Sequence, residues 1–194
     1  SYFISPVGYV YLAAFYLLAG YQFTVTLLGG SADLTSEFTF LYTVVLLLTP
    51  ILTMRLMSEE RKQKTDQILF SAPVTLTGIV AGKYFAAVAV YLMGVAVTLL
   101  HAAVLTPFAD VSWAIVIGNV VGLALLGMAA IALCMFISAQ TENQIIAAIG
   151  GFASILVVLS LNSIASVVSF APLKQLLTSI SFYSRYYDLT IGMI

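Results

Sequence analysis

Long uncharged apolar runs are the feature that most constrains what this chain can fold into. Five runs reach the roughly 20 residues that an α-helix needs to cross a bilayer, because it rises about 1.5 Å per residue through a core about 30 Å thick. Of the 194 residues, 62% are hydrophobic and 8% are charged, too few charges to cover a water-soluble domain of this length. We therefore expect an all-α integral membrane protein with spans at 7–28, 38–56, 84–105, 112–138 and 145–170.

Charge is concentrated in the connection between the second and third runs. Seven of the fifteen charged residues lie within Arg55–Asp66, and Lys83 follows in the same connection. The loops after the first and third runs are acidic, and the first of them is expected to carry Asp33 and Glu37. The positive-inside rule therefore predicts that the Arg55–Asp66 connection is cytoplasmic. In this topology Lys174 and Arg185 lie on the outer side of the membrane, and they are exceptions to the positive-inside rule.

The charged stretch has the pattern of a helix that docks on a partner. Opposite charges lie four residues apart in three pairs, each worth roughly 0.2–0.5 kcal/mol in a helix: Arg55 with Glu59, Glu60 with Lys64, and Lys62 with Asp66. An apolar patch at 68–70 follows, and Pro73 disfavours helix at the residue before it. Thr75 and Thr77 are placed to cap the next helix. Such a segment suits a groove of a cytosolic protein; the alternative is a solvated loop resting on lipid headgroups.

The same connection, with two shorter stretches, resembles one family of membrane proteins. The stretches are Leu52–Lys62 with Thr65, Ala72–Val74 and Ile79–Lys83, then Ser5–Val10, then Thr141–Ala147. They resemble, in that order, the connection between spans two and three, the start of span one and the start of span five of ABC-2 type permeases. The likeness is to the branch of the gliding-motility and nitrous-oxide-reductase-maturation permeases, and it covers most of the chain at matching separations.

The resemblance implies a transport role and a set of partners. It implies a six-span half-transporter of a prokaryotic inner membrane that forms a homo- or heterodimer and exports a substrate by alternating access. Separate ABC ATPase subunits would bind ATP and magnesium, and membrane lipid and a periplasmic auxiliary subunit are further expected partners; nucleic acid is not. It also implies an amphipathic helix before Ser1, outer re-entrant helices at 172–194 and a sixth span beyond Ile194.

Two cytoplasmic contacts with the ATPase follow from the resemblance by position. The first is a coupling helix in the segment 58–72, and the residues that would contact the ATPase are Glu59, Glu60, Arg61, Lys62, Lys64, Thr65, Asp66, Ile68, Leu69 and Phe70. The second is a smaller contact formed by Thr141, Glu142, Asn143 and Gln144. The family usually has a glycine where this chain has Lys64, so we expect that turn to be helical here.

Polar side chains inside the runs are few, and they are candidates either for a substrate pathway or for hydrogen bonds between helices. They are His101, Asn119 and Asn162. An intramembrane protease would pair His101 with Ser154 or Ser160, but neither serine lies in a Gly-x-Ser-x-Gly context. We expect the histidine to bond to a neighbouring helix instead.

Sites for nucleotide and metal are not expected on this chain. The stretch Gly78–Lys83 has three residues between its glycines and Tyr84 after its lysine, whereas a phosphate-binding loop needs four residues and then Ser or Thr. A single histidine and the single cysteine, Cys134, cannot form a metal site alone. We therefore predict a non-catalytic subunit without a cofactor of its own.

Four glycines are expected to have a role in helix packing. Gly78 and Gly82, like Gly118 and Gly122, are expected to allow close approach of helices.

The alternatives to an ATP-driven permease are a secondary transporter or channel that needs no ATPase, and a membrane scaffold for a partner enzyme. Inverted repeats and broken charged helices would favour the secondary transporter, and neither is clear in the sequence.

Overall fold

Five helices form the part of the chain that the computed structural model describes, which is residues 6–29, 34–58, 75–107 and 112–167. The helices are α1 (Pro6–Leu28), α2 (Thr35–Thr53), α3 (Leu76–Leu105), α4 (Trp113–Ser138) and α5 (Gln144–Val167). Within these ranges the all-α prediction is confirmed, since no strand is present. The first four helices are long and apolar enough to cross a membrane. In α5, the part whose side chains are described, Gln144–Ser160, forms a shorter apolar helix.

Helices α2 and α4 lie at the centre of the bundle. Helix α2 packs against α1, α4 and α5, while α4 packs against α2, α3 and α5. The buried face of α2 follows helical spacing at Leu41, Val45, Leu48 and Leu52. These side chains join Phe15 and others in the largest buried cluster, so the apolar spacing of α2 determines which of its faces meets the neighbouring helices.

A tyrosine and a glycine fix the contact between α3 and α4. The Tyr91 ring of α3 is buried, and its hydroxyl donates a hydrogen bond to the carbonyl of Leu123 in α4. A Cβ added to Gly127 would overlap the same ring. The close approach therefore requires glycine at this position, because any larger residue would displace Tyr91 from its partner.

The glycines that allow close approach differ from those that the sequence pattern indicated. A Cβ at Gly82 would meet no atom within 4 Å, and one at Gly78 would meet only the hydroxyl of Thr75, its own helix cap, at 3.1 Å. The small-residue prediction is therefore wrong for Gly78 and Gly82 within the described residues. Besides Gly127, Gly151 of α5 is close to another helix, because a Cβ added to it would lie 3.1 Å from Cβ of Pro50.

Two helix starts show how local sequence places the polar residues. Thr75 caps α3 as predicted, since its side chain accepts a hydrogen bond from the N–H of Gly78 at 3.3 Å. Helix α2 begins earlier than expected, at Thr35. As a result Glu37 lies in the first helical turn and is buried, whereas the sequence analysis placed it in a loop.

Candidate functional sites at the two ends of the bundle

The helices bring their ends together in two groups, which we name after one residue of each. The Lys83 end contains the last turn of α2, the first turns of α3, the end of α4 and the start of α5. The His101 end contains the end of α1, the start of α2, the end of α3 and the start of α4. The connection expected to contact an ATPase leaves from the Lys83 end.

At the Lys83 end, side chains of two neighbouring helices bind carbonyls of the turn that follows α2. The Lys83 ammonium of α3 donates to the carbonyl of Leu56 at 2.8 Å, and its nitrogen lies 3.7 Å from the sulfur of Met57. From α4, the hydroxyl of Ser138 donates to the carbonyl of Met54 at 3.2 Å. The end of α2 is therefore held by both α3 and α4.

Ser138 also contacts the residue at which the described part of this connection ends. The backbone N–H of Ser58 donates to the Ser138 hydroxyl at 3.4 Å, and the Ser58 hydroxyl donates to the carbonyl of Met54. Both serines are fully buried. We name the hydrogen-bonded group of Met54, Ser58 and Ser138 the serine junction.

The turn between α4 and α5 follows Ser138 directly, and it caps α5. The side-chain oxygen of Asn143 accepts from the N–H of Ile145 at 2.9 Å, and its carbonyl accepts from the N–H of Ala147, also at 2.9 Å. The hydroxyl of Thr141 in turn accepts from the N–H of Asn143 at 3.2 Å. Glu142 is exposed just before the N-terminus of α5, where the helix dipole favours a negative charge.

An apolar groove lies beside the serine junction. It encloses about 620 Å³ between α3 and α4, and Met57, Tyr84, Met135 and Phe136 are among the residues that line it. Its lining is almost entirely carbon. A surface of this kind suits hydrocarbon more than water, so it is compatible with a position within the bilayer.

At the His101 end, a buried carboxylate pairs with the chain's single histidine. Nδ1 of His101 lies 2.6 Å from Oε1 of Glu37, which joins α3 to α2. The imidazole also stacks on Phe23 of α1, with ring centroids 4.2 Å apart and an angle of 11° between the planes. Three helices therefore meet around one ring.

The surroundings of this pair are largely apolar. Glu37 is 1% exposed, and the neighbouring cluster contains Phe38 of α2, Ala102 of α3 and Val116 of α4. The second oxygen of Glu37, Oε2, has no hydrogen-bond partner among the described residues. A buried carboxyl group needs a polar partner to offset the loss of water, and His101 is the partner that the structure shows.

Asn119, another polar residue predicted inside the spans, makes its described hydrogen bond within its own helix. Asn119 is fully buried in α4, and its amide donates to the carbonyl of Ile115 in its own helix at 2.9 Å. Its Oδ1 has no hydrogen-bond partner among the described residues. Asn162 lies in α5, but its side chain is outside the described part.

Most of the predicted ATPase contact lies outside the described residues. This holds for every residue named for it, from Glu59 to Phe70, and for the re-entrant segment 172–194. The structure describes Ser58, the residue before the first predicted contact, and Thr141–Gln144, the predicted second contact. Both belong to the Lys83 end.

Sequence reasoning missed the role of Glu37, although a signal was present. Glu37 precedes Leu41, Val45 and Leu48 by four, eight and eleven residues, so it continues the buried stripe of α2. An acidic residue on that stripe needs a partner within the bundle, and His101 was the one basic candidate inside a run.

Comparison with known proteins adds the family. A profile described as ABC-2 family transporter protein matches residues 6–192. No curated protein and no solved structure matches the chain. Since the profile covers nearly all of a chain whose described part is a bundle of apolar helices, this protein belongs to the ABC-2 transporter family.

Proposed function

We propose that this chain is the permease subunit of an ATP-driven exporter, and that it works as a dimer with separate ATPase subunits in a prokaryotic inner membrane. The observation that carries the proposal is the family match over residues 6–192. The assignment to the gliding-motility and nitrous-oxide-reductase-maturation branch rests on the sequence resemblance alone. A fifth span through α5, outer re-entrant helices at 172–194 and a sixth span after Ile194 belong to the proposal.

The proposed mechanism is a mechanical one. When the ATPase subunits close on ATP, they push on the coupling segment 58–72 and on the turn Thr141–Gln144. The segment starts at Ser58, which is hydrogen-bonded to the end of α4, and Lys83 binds the preceding turn. A push would therefore reach α2, α3 and α4 directly. For it to drive alternating access, the ATPase must bind the two conformations of the permease with different affinity.

Two variants of the coupling segment test this mechanism. Glu60→Lys reverses a charge, and Gln67→Pro breaks a helix. We expect both variants to insert normally and to lose co-purification of the ATPase and ATP-dependent transport. A charge reversal in the loop after the third span, Asp110→Lys, should retain both. Normal recovery of the ATPase with both coupling variants would refute the lever.

The expected topology has its own test. In a Cys134→Ala background, a cysteine introduced by Lys62→Cys should resist a membrane-impermeant maleimide added to intact cells. The same cysteine should react once the cells are opened. Labelling of this variant from outside intact cells would place the coupling segment on the wrong side for a cytosolic ATPase, and the proposal would fail.

One observation favours a second candidate, a proton-driven transporter without an ATPase. A buried carboxylate–histidine pair is a type of group that proton-coupled transporters use inside membranes. Proteoliposomes that contain this chain alone would then acidify when a proton gradient is imposed, as a trapped pH-sensitive dye reports. Glu37→Gln would abolish the response. Acidification no faster than in empty liposomes would exclude this candidate.

A further inference from the structure

Ser138 occupies a position shared by the two expected ATPase contacts. It is the last residue of α4, three residues before Thr141, and it is fully buried. Its hydroxyl accepts from the N–H of Ser58, the residue before Glu59, and donates to the carbonyl of Met54. One side chain thus joins Ser58 to the end of α4, 80 residues further along the sequence.

The chemistry of a hydroxyl suits this role. It offers one donor and two acceptor positions, so it can bind a carbonyl and an N–H of the same neighbouring helix end at once. Because the group is buried, water cannot readily replace a bond that is lost. Movement of either segment therefore changes the hydrogen bonds that hold the other.

We propose that Ser138 is a positioning residue that makes the two ATPase contacts cooperative, so that occupation of one orients the other. The inference rests on the proposed function, since it requires an ATPase at both contacts. A small movement is enough. A shift of Ser58 changes the geometry of its hydrogen bond to Ser138 at the end of α4, and this change reaches the turn Thr141–Gln144, which begins three residues later. The cooperativity is a coupling free energy: binding at one contact changes the binding free energy at the other.

A double-mutant cycle on ATPase affinity measures this coupling. The permease, in its purified dimer, is titrated with the ATPase subunit that co-purifies with it, and Kd is compared for the parent, Glu60→Lys, Glu142→Lys and the double variant. With Ser138 present, we expect the double variant to deviate at least about threefold from the product of the two single effects. With Ser138→Ala in the background, the deviation should fall within the error of the two single measurements.

Matched variants separate positioning from simple loss of stability. Ser58→Ala removes a hydroxyl from the same junction but keeps the backbone N–H that donates to Ser138, so the cooperativity should remain. Ser138→Thr keeps the hydroxyl and should restore it. In Ser138→Ala itself each single variant should still weaken binding, but by a factor that is smaller by the deviation that has been lost. A merely structural role would lower the stability of the protein and leave the deviation in place.

Each outcome decides between the two proposals. If Glu60→Lys and Glu142→Lys leave the affinity unchanged, the proposed ATPase contacts fail, and the inference fails with them. If both weaken binding but their effects multiply independently even with Ser138 present, only the inference is overturned. Should Ser138→Ala not fold, Ser138→Cys takes its place, because a thiol is a weak donor and acceptor. Undiminished cooperativity in that variant overturns the inference.

Discussion

The two ends of the bundle are held together by different chemistry. At the His101 end a buried carboxylate meets an imidazole, side chain to side chain. At the Lys83 end, side chains bind backbone carbonyls at the end of α2. Separating the first pair strands an ionisable group in an apolar region, whereas separating the second frees neutral backbone carbonyls.

The difference teaches which end is the easier one to rearrange. The pair at the His101 end joins α2 to α3 at a high cost of separation, and the stacked Phe23 adds α1 to the same unit. The Lys83 end has several weaker bonds that can be exchanged one at a time. We infer that a force applied at the Lys83 end moves helix ends there before it parts α2 from α3 at the His101 end.

The largest expected effect comes from breaking the pair at the His101 end. His101→Ala should destabilise the protein by about 3–5 kcal/mol, because it leaves the buried Glu37 without its partner. Thermal unfolding of the detergent-purified protein measures the loss. Thr98→Val, one turn earlier, removes a buried hydroxyl that donates to the Val95 carbonyl of its own helix, and should cost about 1 kcal/mol. Equal losses in the two variants would contradict the special role of the pair.

Replacing both members of the pair tests whether the pair stabilises the fold more than two apolar side chains would. The combination Glu37→Leu with His101→Phe removes both polar groups and keeps an aromatic ring beside Phe23. We expect at least about 2 kcal/mol of the single-variant loss to return, since apolar replacement of a buried pair is often neutral or stabilising. A loss equal to the sum of the single variants would show that the pair has no mutual compensation.

At the Lys83 end the expected effects are smaller. Lys83→Met keeps most of the apolar stem and removes the ammonium that binds the carbonyl of Leu56. The loss should be about 1.5 kcal/mol, the lower range for a hydrogen bond to a charged group. Lys83→Arg keeps a charged donor and serves as the control. A loss for Lys83→Met as large as that for His101→Ala would remove the contrast between the two ends.

The all-α character of the described residues and the cap at Thr75 could be predicted because long apolar runs and caps are local signals. The helical nature of the runs and the cap at Thr75 follow from residues within a few positions of each other. The pair of Glu37 and His101 depends on how α2 and α3 are rotated about their axes, over a separation of 64 residues. No local pattern contains that rotation, although the helical phase of Glu37 indicated a buried position.

The serine junction was beyond the sequence for the same reason. Ser58 and Ser138 are ordinary small polar residues near helix ends, and nothing within either segment indicates that they meet. The close approach at Gly127 depended on a tyrosine from another helix, so the regular spacing of Gly78 and Gly82 was a poor guide. Side-chain contacts between helices follow from packing, which single-run periodicity does not determine.

The smallest expected effect concerns the cap of α5 at the Lys83 end. Asn143→Ala removes the side-chain oxygen that accepts from the N–H of Ile145, and it should destabilise the protein by about 1 kcal/mol, as loss of an N-cap usually does. Asn143→Asp keeps an acceptor at the same position and should lose less. Hydrogen exchange at the amides of residues 145–147 gives a local readout, which should rise in Asn143→Ala before global stability changes. If exchange at the first turn of α5 is unchanged, the turn is held by contacts other than its cap. The weaker-bonded end would then be stiffer than its hydrogen bonds imply, and its contrast with the His101 end would narrow.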